Sequence, residues 1–207
     1  FIIMANKKDL NFETKVIHAG QKSDPTTGAV MTPIVLASTY EQSSPGIHKG
    51  YDYSRSINPT REAFENCIAS LENGIKGYGF SSGVAAISAC VELLSPGDHI
   101  IAMDDLYGGS VRLFNEIKSI SQGIEVTYVD MTDIDNVKDS LKESTKMIFV
   151  ETPTNPLLKI ADLSKIAKLA KTNNILTVCD NTFASPYNQQ PLNHGIDIVI
   201  HSATKYL

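Results

Sequence analysis

The chain has 207 residues and a formal net charge of −5, an acidic balance that argues against nucleic acid or an anionic membrane surface as its main partner. With 42% hydrophobic and 20% charged residues it reads as an ordinary globular protein, long enough for one large domain or one domain and part of a second. No apolar run approaches the ~20 residues of a membrane span, and the opening Phe1-Ile2-Ile3-Met4 is too short for the apolar core of a signal peptide.

Phe1 to Ile3 read as residues ahead of a natural start at Met4-Ala5-Asn6. The other end stops at Lys205-Tyr206-Leu207, just after an apolar stretch and with no polar tail. Domains rarely end in that way, so a truncated polypeptide is expected. Cys67, Cys90 and Cys179 fit no metal or disulfide spacing; each lies in an apolar stretch and reads as a reduced buried thiol, which suits the cytoplasm. His18, His48, His99, His194 and His201 form no HxxxH pair, and no metal site is expected.

Residues 5–58 are rich in Thr, Ser, Pro and Gly and show little periodicity. They read as an extended arm that lies on another surface. Asn58-Pro59 opens a helix with an N-cap residue and a proline at the first helical position. Phe64, Ile68 and Leu71 mark its apolar face, and Asn73-Gly74 closes it.

Beyond that point strands and helices alternate. A helix over 83–94 precedes a strand over 99–103, and a helix near 110–121 precedes a strand over 124–129. Helices near 133–143 and 162–173 lead to strands over 146–150 and 175–179, and 196–200 is a last strand. Short apolar strands separated by amphipathic helices predict a mostly parallel sheet covered on both faces. Such sheets bind ligands beyond the carboxyl ends of their strands. Three of those ends carry polar, reactive residues: Glu151 to Pro156, Asp180-Asn181-Thr182, and His201 to Lys205.

Ser81-Ser82-Gly83-Val84 opens a helix of small residues whose free backbone N–H groups suit a phosphate. Taken alone, an ordinary serine N-cap explains it better. Gly77-x-Gly79-x-x-x-Gly83 only approaches the dinucleotide fingerprint, and no strand precedes it, so that reading is rejected. Lys205 alone would pass for a solvated strand end. Ser202 and Thr204 alter the balance, because their hydroxyls suit the same phosphate that Lys205 would hold through an aldehyde. A Schiff-base lysine needs partial desolvation, which the apolar strand before it is expected to supply. Asp180 ends a buried strand and needs a cation, for which a protonated pyridine nitrogen would serve, although a loop-bracing aspartate is an equal reading. Tyr107, in Asp104-Asp105-Leu106-Tyr107-Gly108-Gly109, suits stacking on a planar cofactor, or is simply a turn tyrosine.

Together these residues resemble the Cys/Met-metabolism enzymes that depend on pyridoxal 5′-phosphate (PLP). Tyr53-Ser54-Arg55-Ser56-x-Asn58-Pro59-Thr60-Arg61, the SSG helix start, DDLYGG, ETPTNP, DNTFASP and Ser202-Ala203-Thr204-Lys205-Tyr206 occur in that family's order, from about Thr14 onward. The resemblance implies the aspartate-aminotransferase-like α/β large domain (fold type I) over 59–207, lacking its carboxy-terminal partner domain. It implies an arm over 1–58 that contacts a neighbouring subunit in a homotetramer, a dimer of dimers.

By the same resemblance, Lys205 would carry PLP covalently and shuttle protons, and Asp180 would pair with the pyridine nitrogen. The Gly83 and Val84 amides, with Ser202 and Thr204, would hold the phosphate. Tyr107 would stack on the ring and act as an acid or base, with Asn155 near the ring hydroxyl and Glu151 in support. Tyr53 and Arg55 would reach the phosphate of a neighbouring subunit's cofactor, while Arg61 would be structural. The activity implied is γ-elimination of L-cystathionine to cysteine, 2-oxobutyrate and ammonia, on a small-molecule amino-acid substrate. The alternatives are γ-replacement joining an O-acylhomoserine to cysteine and, in a different class, a PLP-fold scaffold without catalysis. Gly109 departs from the cysteine or histidine common at that place in methionine γ-lyases.

Overall fold

The computed structural model describes residues 10–207. The Phe1–Ile3 and Met4-Ala5-Asn6 readings lie outside the described residues. The chain divides into two compact units, one ending at Gly79 and the other spanning Phe80–Leu207.

In the first unit a short helix α1 (Phe12–His18) packs on α2 (Pro59–Leu71), and β1 (Gln42–Ser44) pairs antiparallel with β2 (Ile47–His48). The predicted start of α2 is present: the Asn58 side chain accepts the Thr60 and Arg61 amides at 2.9 and 3.3 Å. At the other end Asn73, not Gly74, adopts the left-handed turn, with φ 57°, and the Gly74 amide closes on the Ala69 carbonyl at 2.7 Å. The arm differs from the featureless stretch its composition suggested. It contains α1, and an isolated antiparallel bridge joins Thr39 to Tyr53. Arg61 donates to the Ser54, Arg55 and Ser56 carbonyls and pairs with Glu65 at 3.3 Å, which fastens that turn to α2.

The second unit is built on five parallel strands. They are β3 (His99–Met103), β4 (Glu125–Val129), β5 (Thr145–Glu151), β6 (Leu176–Asp180) and β7 (Ile198–Ile200), in spatial order β4-β3-β5-β6-β7. Strands β3 and β5 are buried along nearly their whole length, as a sheet covered on both faces requires. Phe114 and Phe149 meet edge to face within this core, 5.2 Å between ring centres.

Helix α3 (Gly83–Val91) begins this unit. The segment after β3 is helical as predicted, though its middle is wound more loosely: α4 (Gly108–Arg112) passes through a π-helical stretch, Leu113–Lys118, into α5 (Ser119–Ser121). Helices α6 (Ile134–Asp139) and α7 (Leu163–Thr172) connect the next strands, and α8 (Ser185–Asn188) with a 3-10 turn, Pro191–His194, leads to β7. The connection from β3 runs to β4 on one side, whereas those from β4 and β5 run the other way. Right-handed crossovers therefore put helix α4–α5 on one face of the sheet and α6 and α7 on the other. The crevice between β3 and β5, where successive connections leave to opposite faces, is the ligand position expected of such a sheet. Among the described residues no helix is long and apolar enough to cross a membrane.

At the amino end of the sheet, fully buried His99 spans Thr145 and Thr127, each hydroxyl 2.8 Å from a ring nitrogen. Burial lowers the pKa of this histidine. It braces the end of the sheet opposite the rim where Glu151 and Asp180 stand.

Candidate active site

The parallel register brings the strand ends to one level. Glu151 and Asp180 are partners across β5 and β6, and Asp180 and Ile200 are partners across β6 and β7. Tyr107 follows β3, and Ser202 and Lys205 follow β7.

Asp180 is buried, and its hydrogen bonds gather on one oxygen. Oδ1 accepts the Thr182 amide at 3.0 Å and the Thr182 hydroxyl at 2.5 Å, whereas Oδ2 accepts none among the described residues. Burial pushes the carboxyl above its ordinary range; the Thr182 bonds and the nearby His201 oppose that rise. The Thr182 hydroxyl also accepts the Ser202 amide at 2.9 Å. A continuous chain thus runs from Asp180 to the loop that carries Lys205, and the Lys205 amide turns back on the Ser202 carbonyl at 3.1 Å.

Ser202 also meets the start of α3. A Cβ placed on Gly83 would lie 3.0 Å from the Ser202 Cβ, so only glycine allows this approach without displacement. Ser82 caps the helix by accepting the Ala85 amide at 3.1 Å. The Gly83 and Val84 amides, in the first turn, have no partner within the helix and stand at its positive end. Thr204 and Lys205 are exposed. β7 ends at Ile200, so the strand itself does not cover Lys205 in this chain.

Tyr107 is half exposed, and its ring lies back over its own loop: a Cβ on Gly109 would come within 2.4 Å of the ring. Its amide donates to Glu151 Oε2 at 3.0 Å. Burial pushes the Glu151 carboxyl up to about 7; the Tyr107 and Asn155 amides hold it down, and Asp180 and Asp105 push it further up. Asn155 is half-buried on the same loop.

In the first unit Arg55 donates to the Tyr53 hydroxyl at 2.8 Å, and its guanidinium lies over the Tyr53 ring, 5.0 Å from the centre. None of the three cysteines is in a disulfide. Cys179 is fully buried, while Cys67 and Cys90 are only half-buried. Burial raises both of those thiols, Cys90 to about 11, which leaves neither poised as a nucleophile.

Thr182 and Asp105 stand in motifs quoted from the sequence, which assigned neither of them a role. Thr182 carried a local signal, since an aspartate followed two residues later by a hydrogen-bonding amide is the Asx-turn pattern. Asp105 carried none, because its partners are about fifty residues away.

The strand order and helix placement are those of the aspartate-aminotransferase-like α/β large domain, fold type I. A family profile described as "Cys/Met metabolism PLP-dependent enzyme" matches residues 13–207, and the chain belongs to that family. It is 58% identical over 202 residues, 98% of its length and 52% of the relative's, to a protein named cystathionine β-lyase from Coxiella burnetii. It is 46% identical over 199 residues, 96% of its length and 62% of the relative's, to a probable cystathionine γ-synthase from Herpetosiphon aurantiacus. The crystal structure of cystathionine γ-lyase from Lactobacillus plantarum, complexed with L-serine, superposes with a TM-score of 0.92 at 49% identity. That match covers 95% of this chain and 51% of the other. The chain spans about half the length of the first of these relatives and of this solved structure.

Proposed function

We propose that the full-length protein is a PLP-dependent carbon–sulfur lyase that cleaves L-cystathionine by γ-elimination, giving cysteine, 2-oxobutyrate and ammonia. The observation that carries this reading is the chain from buried Asp180 through Thr182 to Ser202, with Gly83 closed against Ser202. These residues fit the cofactor. Asp180 Oδ2 is available to a pyridinium, and the Gly83 approach leaves helix amides and the Ser202 hydroxyl together for a phosphate.

When bound, PLP supplies an electron sink. Asp180 keeps its ring nitrogen charged. The Gly83 and Val84 amides, Ser202 and Thr204 would hold its phosphate, Tyr107 would stack on the ring and Asn155 would serve the ring hydroxyl. Lys205 would carry the cofactor covalently, and its amine would take a proton from substrate Cα, give that proton up, and only then take one from Cβ. Tyr107 protonates the departing sulfur. Tyr53 and Arg55, already paired with each other, serve the phosphate in a neighbouring subunit of a cytoplasmic homotetramer, a dimer of dimers.

β-Elimination is the second reading, favoured by the 58% identity to a protein named cystathionine β-lyase. One assay separates the possibilities. The full-length enzyme receives cystathionine alone, then O-succinylhomoserine or O-acetylhomoserine with cysteine. 2-Oxobutyrate from cystathionine supports γ-elimination, and pyruvate as the main product replaces it with β-elimination. If cystathionine is inert and the acylhomoserine is converted to it, the enzyme is a γ-replacement transferase. If none of these turns over while PLP binds, the catalytic reading gives way to a scaffold.

A further inference from the structure

The loops that follow β3 and β5 hold each other through exchanged carboxylates. Glu151, on the β5 side, accepts the Tyr107 amide at 3.0 Å, and the Asn155 amide stands near enough to help hold its pKa down. Asp105, on the β3 side, accepts the Leu157 amide at 2.8 Å and the hydroxyl of Thr154. The two carboxylates are 5% and 9% exposed, and Thr154 is fully buried. Lys159 ties the same loops again from outside, 2.8 Å from Asp104, and also reaches Asp130, which follows β4, at 2.8 Å. All of this lies at the crevice where the chain after β3 and the chain after β5 depart to opposite faces. Side-chain bonds must span that gap, and a buried carboxylate is expensive unless its oxygens are used.

We propose that Glu151 and Asp105 form a reciprocal clamp, a pair of positioning residues that fixes Tyr107 relative to Asn155 across the crevice. They act through those two residues and not by contact with the reacting atoms. What Tyr107 and Asn155 do there rests on the PLP reading above; the clamp itself does not. Each loop supplies the carboxylate that the other loop's amides require, so loosening one releases both.

Amide hydrogen exchange on the cofactor-free full-length protein reads the clamp without any variant. Although Tyr107 is half exposed, its amide and that of Leu157 should exchange at least about tenfold more slowly than free loop amides. An unprotected Tyr107 amide overturns the clamp. In the holoenzyme, Glu151→Gln and Asp105→Asn keep an acceptor oxygen, whereas Glu151→Ala and Asp105→Ala remove it. The alanine variants should bind PLP in full yet lose roughly ten- to hundredfold in kcat, with KM little changed and the visible circular dichroism of bound PLP altered. The amide variants should stay within about threefold of the wild type in kcat with an unaltered dichroism band. If the alanine and amide variants behave alike, or if only KM moves, the positioning role is wrong. Should the alanine variants fail to fold, the wild-type exchange and the amide variants decide. Absence of PLP from the wild type overturns the cofactor reading and leaves the exchange result standing on its own.

Discussion

Glu151 and Asp180 face each other in register at the ends of β5 and β6, two buried carboxyl groups on adjacent parallel strands. Burial acts on both in the same direction, and the Asp180 carboxyl adds to the difficulty of ionising Glu151. Glu151 is pushed from an ordinary 4.5 to about 7. The folded chain therefore keeps a proton that the unfolded chain has lost over that interval. The contribution of Glu151 to stability should fall as pH rises from about 4.5 to about 7. Each tenfold change in proton affinity is worth roughly 1.4 kcal/mol, so the loss is on the order of 3 kcal/mol. Urea unfolding of the cofactor-free full-length protein at both ends of that interval should show the wild type losing stability relative to Glu151→Gln by about that amount. A wild-type minus variant difference that stays constant with pH would mean that Glu151 is ionised throughout.

Gly83→Ala isolates the phosphate cradle. Gly83 is the first residue of α3 and has no positive φ, so alanine suits the helix itself at least as well. Its Cβ would nevertheless stand 3.0 Å from the Ser202 Cβ and press the two sides of the cradle apart. The expected outcome is an unchanged or raised melting temperature with PLP affinity reduced about tenfold, the effect of a small misplacement of donors. PLP titration of the cofactor-free protein measures it, and unaltered affinity would place the phosphate elsewhere.

Much of this architecture was legible in the residues. Strand β3 lies over the predicted 99–103, and Asn58-Pro59 opens α2 as capping chemistry requires. The strand ends were legible because parallel order places them on one rim whatever the loops do. Helix α1 was not, since seven residues with no buried member carry no apolar periodicity. Within the site, Thr182 was readable from local turn chemistry. The partnership of Asp105 with Thr154 and Leu157 was not, for it depends on two loops meeting after the whole sheet is assembled. The apolar residues of the arm, Val30, Met31, Ile34 and Leu36, are exposed in this chain, which explains why no core pattern was visible there.

Lys205 should be the one lysine that forms an imine with PLP. Borohydride reduction of the full-length holoenzyme followed by peptide mapping should find a pyridoxyl group on the peptide containing Ser202-Ala203-Thr204-Lys205. Lys205→Ala should remove that adduct and with it nearly all turnover. A pyridoxyl group on any other lysine rejects the assignment.

Arg55 lies over Tyr53 and donates to its hydroxyl, so the pair already presents a cation and a phenol in one orientation. If the pair serves a neighbouring subunit, mixing Arg55→Ala with Lys205→Ala subunits should restore activity at some sites of the mixed oligomer. Each parent alone should stay at a few per cent of wild type or below, as expected for loss of a charged phosphate contact worth about 2 kcal/mol or more, or of the lysine itself. Confirmed subunit exchange with no recovered activity would show that the arm serves its own subunit.

The two rims of the sheet have been put to different uses, and that division matters for protein engineering. Every residue proposed for chemistry in the second unit stands at the carboxyl rim or on the start of α3. The opposite rim is held by His99 between its two threonines and by the Gly97 amide bonded to the Gly123 carbonyl at 3.2 Å. Turns there, such as that at Glu143 and Ser144, are separated from the site by the full length of buried β5. A reporter peptide or immobilisation tag introduced at such a turn would leave the carboxyl rim intact, and surface chemistry for attachment belongs on that side of the molecule.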